Sequence, residues 1–76
     1  MIYEFYDLLD EDKKVIVENF ENSITIHYKD GGQVTRITKT SDDFKSEFEF
    51  LDYAESVLEK LFENENMIFG VNPHMN

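Results

Sequence analysis

The stretch that most limits what this chain can become is residues 23–39, SITIHYKDGGQVTRITK. Its first half alternates. Ile24, Ile26 and Tyr28 fall on one side and Thr25, His27 and Lys29 on the other, the period of two that belongs to a strand. Asp30, Gly31 and Gly32 follow. Primed hairpin turns need positive φ, which glycine adopts without steric cost. A Gly31-Gly32 turn sets Ile26 opposite Ile37, Tyr28 opposite Thr35, and His27 opposite Arg36. Moving the turn to Asp30-Gly31 shifts the pairing by two residues, so every side chain keeps its face. Ile24, Ile26, Tyr28, Thr35 and Ile37 are the expected buried face. Thr25, His27, Lys29, Arg36 and Thr38 make the other face polar and basic.

Residues 42–65, DDFKSEFEFLDYAESVLEKLFENE, carry a different period. Phe44, Phe48, Leu51, Leu58 and Phe62 recur at spacings of three, four and seven, which is helical. Thr40 or Ser41 serves as a cap, with Asp43 placed as in a capping box. No Gly or Pro occurs from residue 33 to residue 69. One long helix is therefore expected. On its wheel Glu49, Asp52, Glu55, Glu59 and Glu63 gather opposite Phe50, Val57 and Leu61. Steps of three and four put neighbouring carboxylates about 5–6 Å apart at Cβ, where like charges repel. Phe50, Tyr53 and Val57 form a second apolar strip, so either two elements pack on this helix or one strip meets a partner.

The remaining segments complete the expected fold. Ile2, Phe5, Leu8 and Leu9 have helical spacing, which predicts a short helix over residues 2–9. Asp10, Glu11 and Asp12 make a polar turn. Residues 14–20, KVIVENF, begin β-branched and read as a strand, with helix as the alternative. Near the C-terminus, Met67, Ile68, Phe69 and Val71 form a short strand or lie over the core. Gly70, Asn72 and Pro73 end regular structure, and the last three residues fray. The expected class is α+β: a short N-terminal helix, a three-stranded antiparallel meander, and a long acidic helix packed on the sheet. Its 76 residues make one domain with a small core.

Charge is sorted along the chain. Residues 1–12 carry five acids and no base, net −5. Residues 13–40 carry five bases and three acids, net +2, and residues 41–76 carry nine acids and two bases, net −7. The sum, −5 + 2 − 7, is the formal −10. Such a field disfavours nucleic acid and anionic membrane as direct partners and favours a basic protein surface. Glu4, Asp7, Asp10, Glu11 and Asp12 would add a second acidic edge to the helical ridge.

The residues argue against several chemistries. The absence of Cys rules out disulfides and thiolate metal sites and fits a reducing cytosol. His27 and His74 are too few and too far apart for a zinc site. Asp10, Glu11 and Asp12 lack the alternation and central glycine of a calcium loop. The Asp-Gly-Gly turn is not followed by the Lys-Ser/Thr of a phosphate loop. Carboxylates on convex helix faces lack the pocket that acid–base catalysis needs. No cofactor, metal or catalytic residue is therefore assigned, and the chain reads as a binding protein. No apolar run approaches membrane-spanning length. The first residues have neither the basic nor the apolar region of a signal peptide, so a cytoplasmic protein is expected.

The run NSITIHYKDGGQVTRITKTSDDF, a hairpin entering an acidic helix, resembles the small acidic inhibitors that phages make against host defence. These are the anti-CRISPR proteins and anti-restriction DNA mimics. The resemblance is one of architecture and covers most of the chain. It implies an inhibitor that occupies the basic nucleic-acid-binding surface of a defence nuclease, such as a Cas9-type effector, in the host cytoplasm. On that reading Glu49, Asp52, Glu55, Glu59 and Glu63 meet Lys and Arg, with Glu4, Asp7, Asp10, Glu11 and Asp12 as the second edge. Two rivals share the residues. One is an immunity protein or antitoxin against a nuclease toxin. The other is a small interaction domain that dimerises through Phe50, Tyr53 and Val57.

Overall fold

The structure is a computed structural model and describes residues 1–70. Strands β1 (Ile2–Asp7), β2 (Lys13–Asn19), β3 (Ser23–Asp30) and β4 (Gln33–Thr40) run as an antiparallel meander. A short 3₁₀ turn at Ser41–Asp43 leads into helix α1 (Glu47–Glu63), and the chain returns as β5 (Met67–Phe69). β5 pairs antiparallel with β1, giving one five-stranded sheet in the order β4-β3-β2-β1-β5.

The α+β class holds, but the expected arrangement of elements is corrected in two places. Residues 2–9 are not a helix; most of them form β1. Their apolar spacing fits both periods. An isolated helix of about eight residues gains little against its nucleation cost, whereas β1 pairs with a strand on each side. In the strand, Tyr3 and Phe5 face α1. The sheet accordingly has five strands rather than three. The hairpin follows the expected register: Ile26 lies opposite Ile37, Tyr28 opposite Thr35 and His27 opposite Arg36. Gly31 alone in that turn has positive φ, +63°, as a two-residue turn with glycine in its first central position requires.

The helix is shorter than residues 42–65. Thr40 N–H donates to Asp43 Oδ2 at 2.8 Å, so the expected box closes the 3₁₀ turn instead of opening the helix. Phe44 is then extended, with φ −121° and ψ 159°. That drops its ring beside Phe50 and Tyr53, with centroids 5.9 and 5.4 Å away. Ser46 is the true N-cap and accepts from Glu49 N–H at 3.2 Å.

One helix covers part of one sheet face. Phe50 and Ala54 pack into a cluster with Phe5, Val17 and Ile24, edged by Val57, Leu58, Leu61 and Met67. Phe62 leans on Phe5 and Phe69, with ring centroids 5.1 and 5.2 Å away. Phe50 and Val57 therefore face the sheet, with Phe50 1 % exposed, while Tyr53 packs on Phe44. Phe48 and Leu51, expected inside, stand outside. β4 lies beyond the helix, so the face expected to be buried is covered at Ile24 and Ile26 but open at Tyr28, Thr35 and Ile37.

The inward face of α1 can be tested by paired truncation. Phe50→Ala removes a buried ring and is expected to cost about 3–5 kcal/mol in urea unfolding. Phe48→Ala is expected to stay within about 0.5 kcal/mol. Equal losses would contradict this packing.

Candidate protein-binding surface

The helix wheel that buries Phe50, Ala54, Val57 and Leu61 turns Asp52, Glu55, Glu59 and Glu63 outward, and all four are exposed. Among the described residues, no Lys, Arg or His lies within ion-pair distance of these four carboxylates. The four carboxylates span about 16 Å of helix in three steps, one charge per about 5–6 Å, from a rise of about 1.5 Å per residue. One strand of duplex DNA carries one per about 3.4 Å of axis. The charge densities are thus of the same order.

Glu49 is different. Its Oε2 accepts from Lys45 N–H at 3.1 Å while its own N–H is held by Ser46. It secures the helix start, and the open ridge begins at Asp52. Sequence reasoning also missed the apolar neighbours of this ridge. Phe48 is 80 % exposed and Leu51 48 % exposed, on the helix face that carries Asp52 and Glu55. An exposed aromatic ring among unpaired carboxylates has the make-up of a protein contact: an apolar anchor with a charged rim. The Ser46-Glu47-Phe48-Glu49 capping pattern marked where the helix begins, with Phe48 in its exposed first turn.

The second acidic edge is divided by the sheet. Glu4 lies on the face away from α1, where the Tyr6 hydroxyl donates to its Oε2 at 2.8 Å. Asp7 ends β1 and accepts from Leu9 N–H at 2.8 Å. Asp10 accepts from Asp12 N–H at 3.0 Å and pairs with Lys13 at 3.9 Å. Glu11 and Asp12 are exposed in the same turn. This turn sits near the C-terminal end of α1, since Leu8 N–H donates to Asn66 C=O at 2.8 Å. Asp7, Asp10, Glu11 and Asp12 thus lie at the end of the molecule where α1 finishes, with Asp12 C=O accepting from Gly31 N–H of the β3–β4 turn, while Glu4 belongs to another surface.

His27 is the one histidine among the described residues. Its ring bridges Glu18 Oε2 at 3.1 Å and Arg36 Nε, which donates to Nδ1 at 3.0 Å. His74 lies outside the described residues, as do Val71, Asn72 and Pro73 of the expected tail. Among the described residues no three His, Asp or Glu side chains gather to hold a metal ion. No described helix is long and apolar enough to cross a membrane. A wide cleft of about 470 Å³ opens at the start of α1, lined by Asn22, Ser41, Asp42, Phe44, Lys45, Ser46 and Glu47. It contains no histidine.

No family model, no curated protein and no solved structure matches this chain. The surface must be read from its own residues.

The Glu4–Tyr6 bond has a pH consequence. Donating that hydrogen bond to Glu4, together with burial and the Glu4 charge, pushes the Tyr6 phenol above its ordinary range. A group raised in the folded state stabilises fully below its unfolded pKa and loses that contribution as pH rises through the folded one. Wild type should therefore lose its stability margin over Tyr6→Phe as pH climbs past about 10. A margin constant from neutral to strongly alkaline pH, followed by chemical denaturation, would contradict the bond.

Proposed function

We propose that this domain is a protein inhibitor that binds the basic nucleic-acid-binding surface of a nuclease, a Cas9-type CRISPR effector or a similar defence enzyme, by acidic mimicry of nucleic acid. The observation that carries this reading is the exposed row Asp52, Glu55, Glu59 and Glu63, without an ion-pair partner among the described residues and at a charge density of the same order as that of a nucleic-acid strand. Like charges at this spacing weaken the free helix, and a row of Lys and Arg on a partner would relieve them. Association of this kind is fast and salt-sensitive. Asp7, Asp10, Glu11 and Asp12 add acids at the end of the molecule where α1 finishes. Glu49 acts mainly on the helix, and Glu4 plays no part in this contact. Phe48 and Leu51 add an apolar anchor that bare charge mimicry lacks, giving discrimination among basic targets.

The domain acts by occupancy in the cytoplasm, without catalysis and without cofactor or metal. An immunity protein or antitoxin that blocks a nuclease toxin would use the same surface against a different enzyme.

The triple variant Asp52→Lys, Glu55→Lys, Glu59→Lys tests the reading. It should keep its circular dichroism spectrum and lose inhibition of DNA cleavage by a purified Cas9-type effector that the wild type inhibits. Inhibition retained by the folded triple variant would refute the role of the ridge.

A further inference from the structure

We infer that β4 is a second, independent docking edge, and that it accepts an extended acidic segment of another protein as a sixth strand. β4 is the full-length free edge of the sheet among the described residues; the opposite edge is the three-residue β5. Every residue from 33 to 39 is exposed. Ladder alternation from the Asp30–Gln33 closing pair directs the N–H and C=O groups of Val34, Arg36 and Thr38 away from β3. These are unpaired groups of the kind that strand addition uses.

Charge selects the occupant. In a chain of net −10, residues 33–40 hold Arg36 and Lys39 and no acid. A second β4 is a poor occupant, since two copies would bring 2 + 2 = 4 cations and no anion to one seam. An acidic strand meets the same cations favourably. Arg36 and Lys39 are three residues apart and so lie on opposite faces of the sheet. The matching acids on an incoming strand are therefore also three apart. Arg36 is held in place across the sheet by His27, which in turn contacts Glu18. Apolar positions on the added strand would lie beside Ile37 on the helix side, 39 % exposed with Tyr28 next to it at 44 %, and beside Val34 on the other face. In an antiparallel approach the pattern is acid-x-apolar-acid-x-apolar.

The probe is a labelled peptide with the core Glu-Thr-Val-Glu-Thr-Val, titrated with the 76-residue protein by fluorescence anisotropy and by amide hydrogen exchange. Binding should slow exchange at Val34, Arg36 and Thr38. The pair Arg36→Glu, Lys39→Glu should weaken it about tenfold or more, since each cross-strand charge pair is worth up to about 1 kcal/mol and each reversal adds repulsion. The same variant should bind the Lys-Thr-Val-Lys-Thr-Val peptide instead, which a merely structural role for Arg36 would not produce. Thr38→Pro removes an outward N–H without breaking the ladder to β3, and should abolish binding while the fold persists. The ridge triple variant should bind the peptide as wild type does, so failure of either proposal leaves the other standing. Three results would each overturn the inference: no binding of the acidic peptide at millimolar concentration, binding indifferent to the charge swap, or self-association of the free protein through β4.

Discussion

Everything on this molecule depends on the seam where Phe50 and Ala54 of one helix meet Phe5, Val17 and Ile24 of three strands. A single 17-residue helix has to close the core of a five-stranded sheet. Its inward residues are fixed by that task, and so are its outward ones. Turning Phe50 in turns Asp52 and Glu59 out, and leaves Phe48 in solvent. The helix is also too narrow to reach β4. The acidic ridge and the open edge strand are two consequences of the same packing.

The electrostatics follow the layers. Acids occupy the outer face of α1 and the turn near its C-terminal end, while β4 with its Arg36 and Lys39 forms the sheet edge remote from β5. A domain of this size has little core to spare for stabilising unfavourable charge. A row of carboxylates at i, i+3 and i+4 spacing on α1 is therefore costly for folding. The sheet face away from α1 is organised differently, by short side-chain contacts: Tyr6 with Glu4 along β1, Thr25 with Thr38 across β3 and β4, and Glu18 through His27 to Arg36 across three strands. Charges on that face are largely engaged with one another.

The hairpin could be read from the sequence because two local signals agreed, the alternation of residues 23–29 and the glycine turn after it. Its register follows from those alone. The first strand could not be read the same way. Ile2, Phe5, Leu8 and Leu9 satisfy a helical period while Tyr3 and Phe5 satisfy a strand period, and the deciding factor is pairing with residues 14–18 and 67–69, which is remote in sequence. The start of the helix was legible in principle. Two capping patterns stand six residues apart, and the second, at Ser46, governs because Phe44 is worth more in the core than in the helix. Packing against Phe5, Val17 and Ile24 then decides that Phe50, not Phe48, is buried. The ridge residues Asp52, Glu55, Glu59 and Glu63 were visible as a stripe from the start. The division of Glu4 from Asp7 was not, since it arises from strand geometry where a helix was expected.

The most direct test of the acidic ridge as a nucleic-acid mimic is capture of a purified Cas9-type effector by immobilised protein, across a salt series and with its DNA as competitor. The structure predicts capture that falls steeply between about 50 and 200 mM salt and is displaced by the DNA. Capture indifferent to both salt and nucleic acid would contradict it, and would move the contact to Phe48, Leu51 and an ordinary apolar interface.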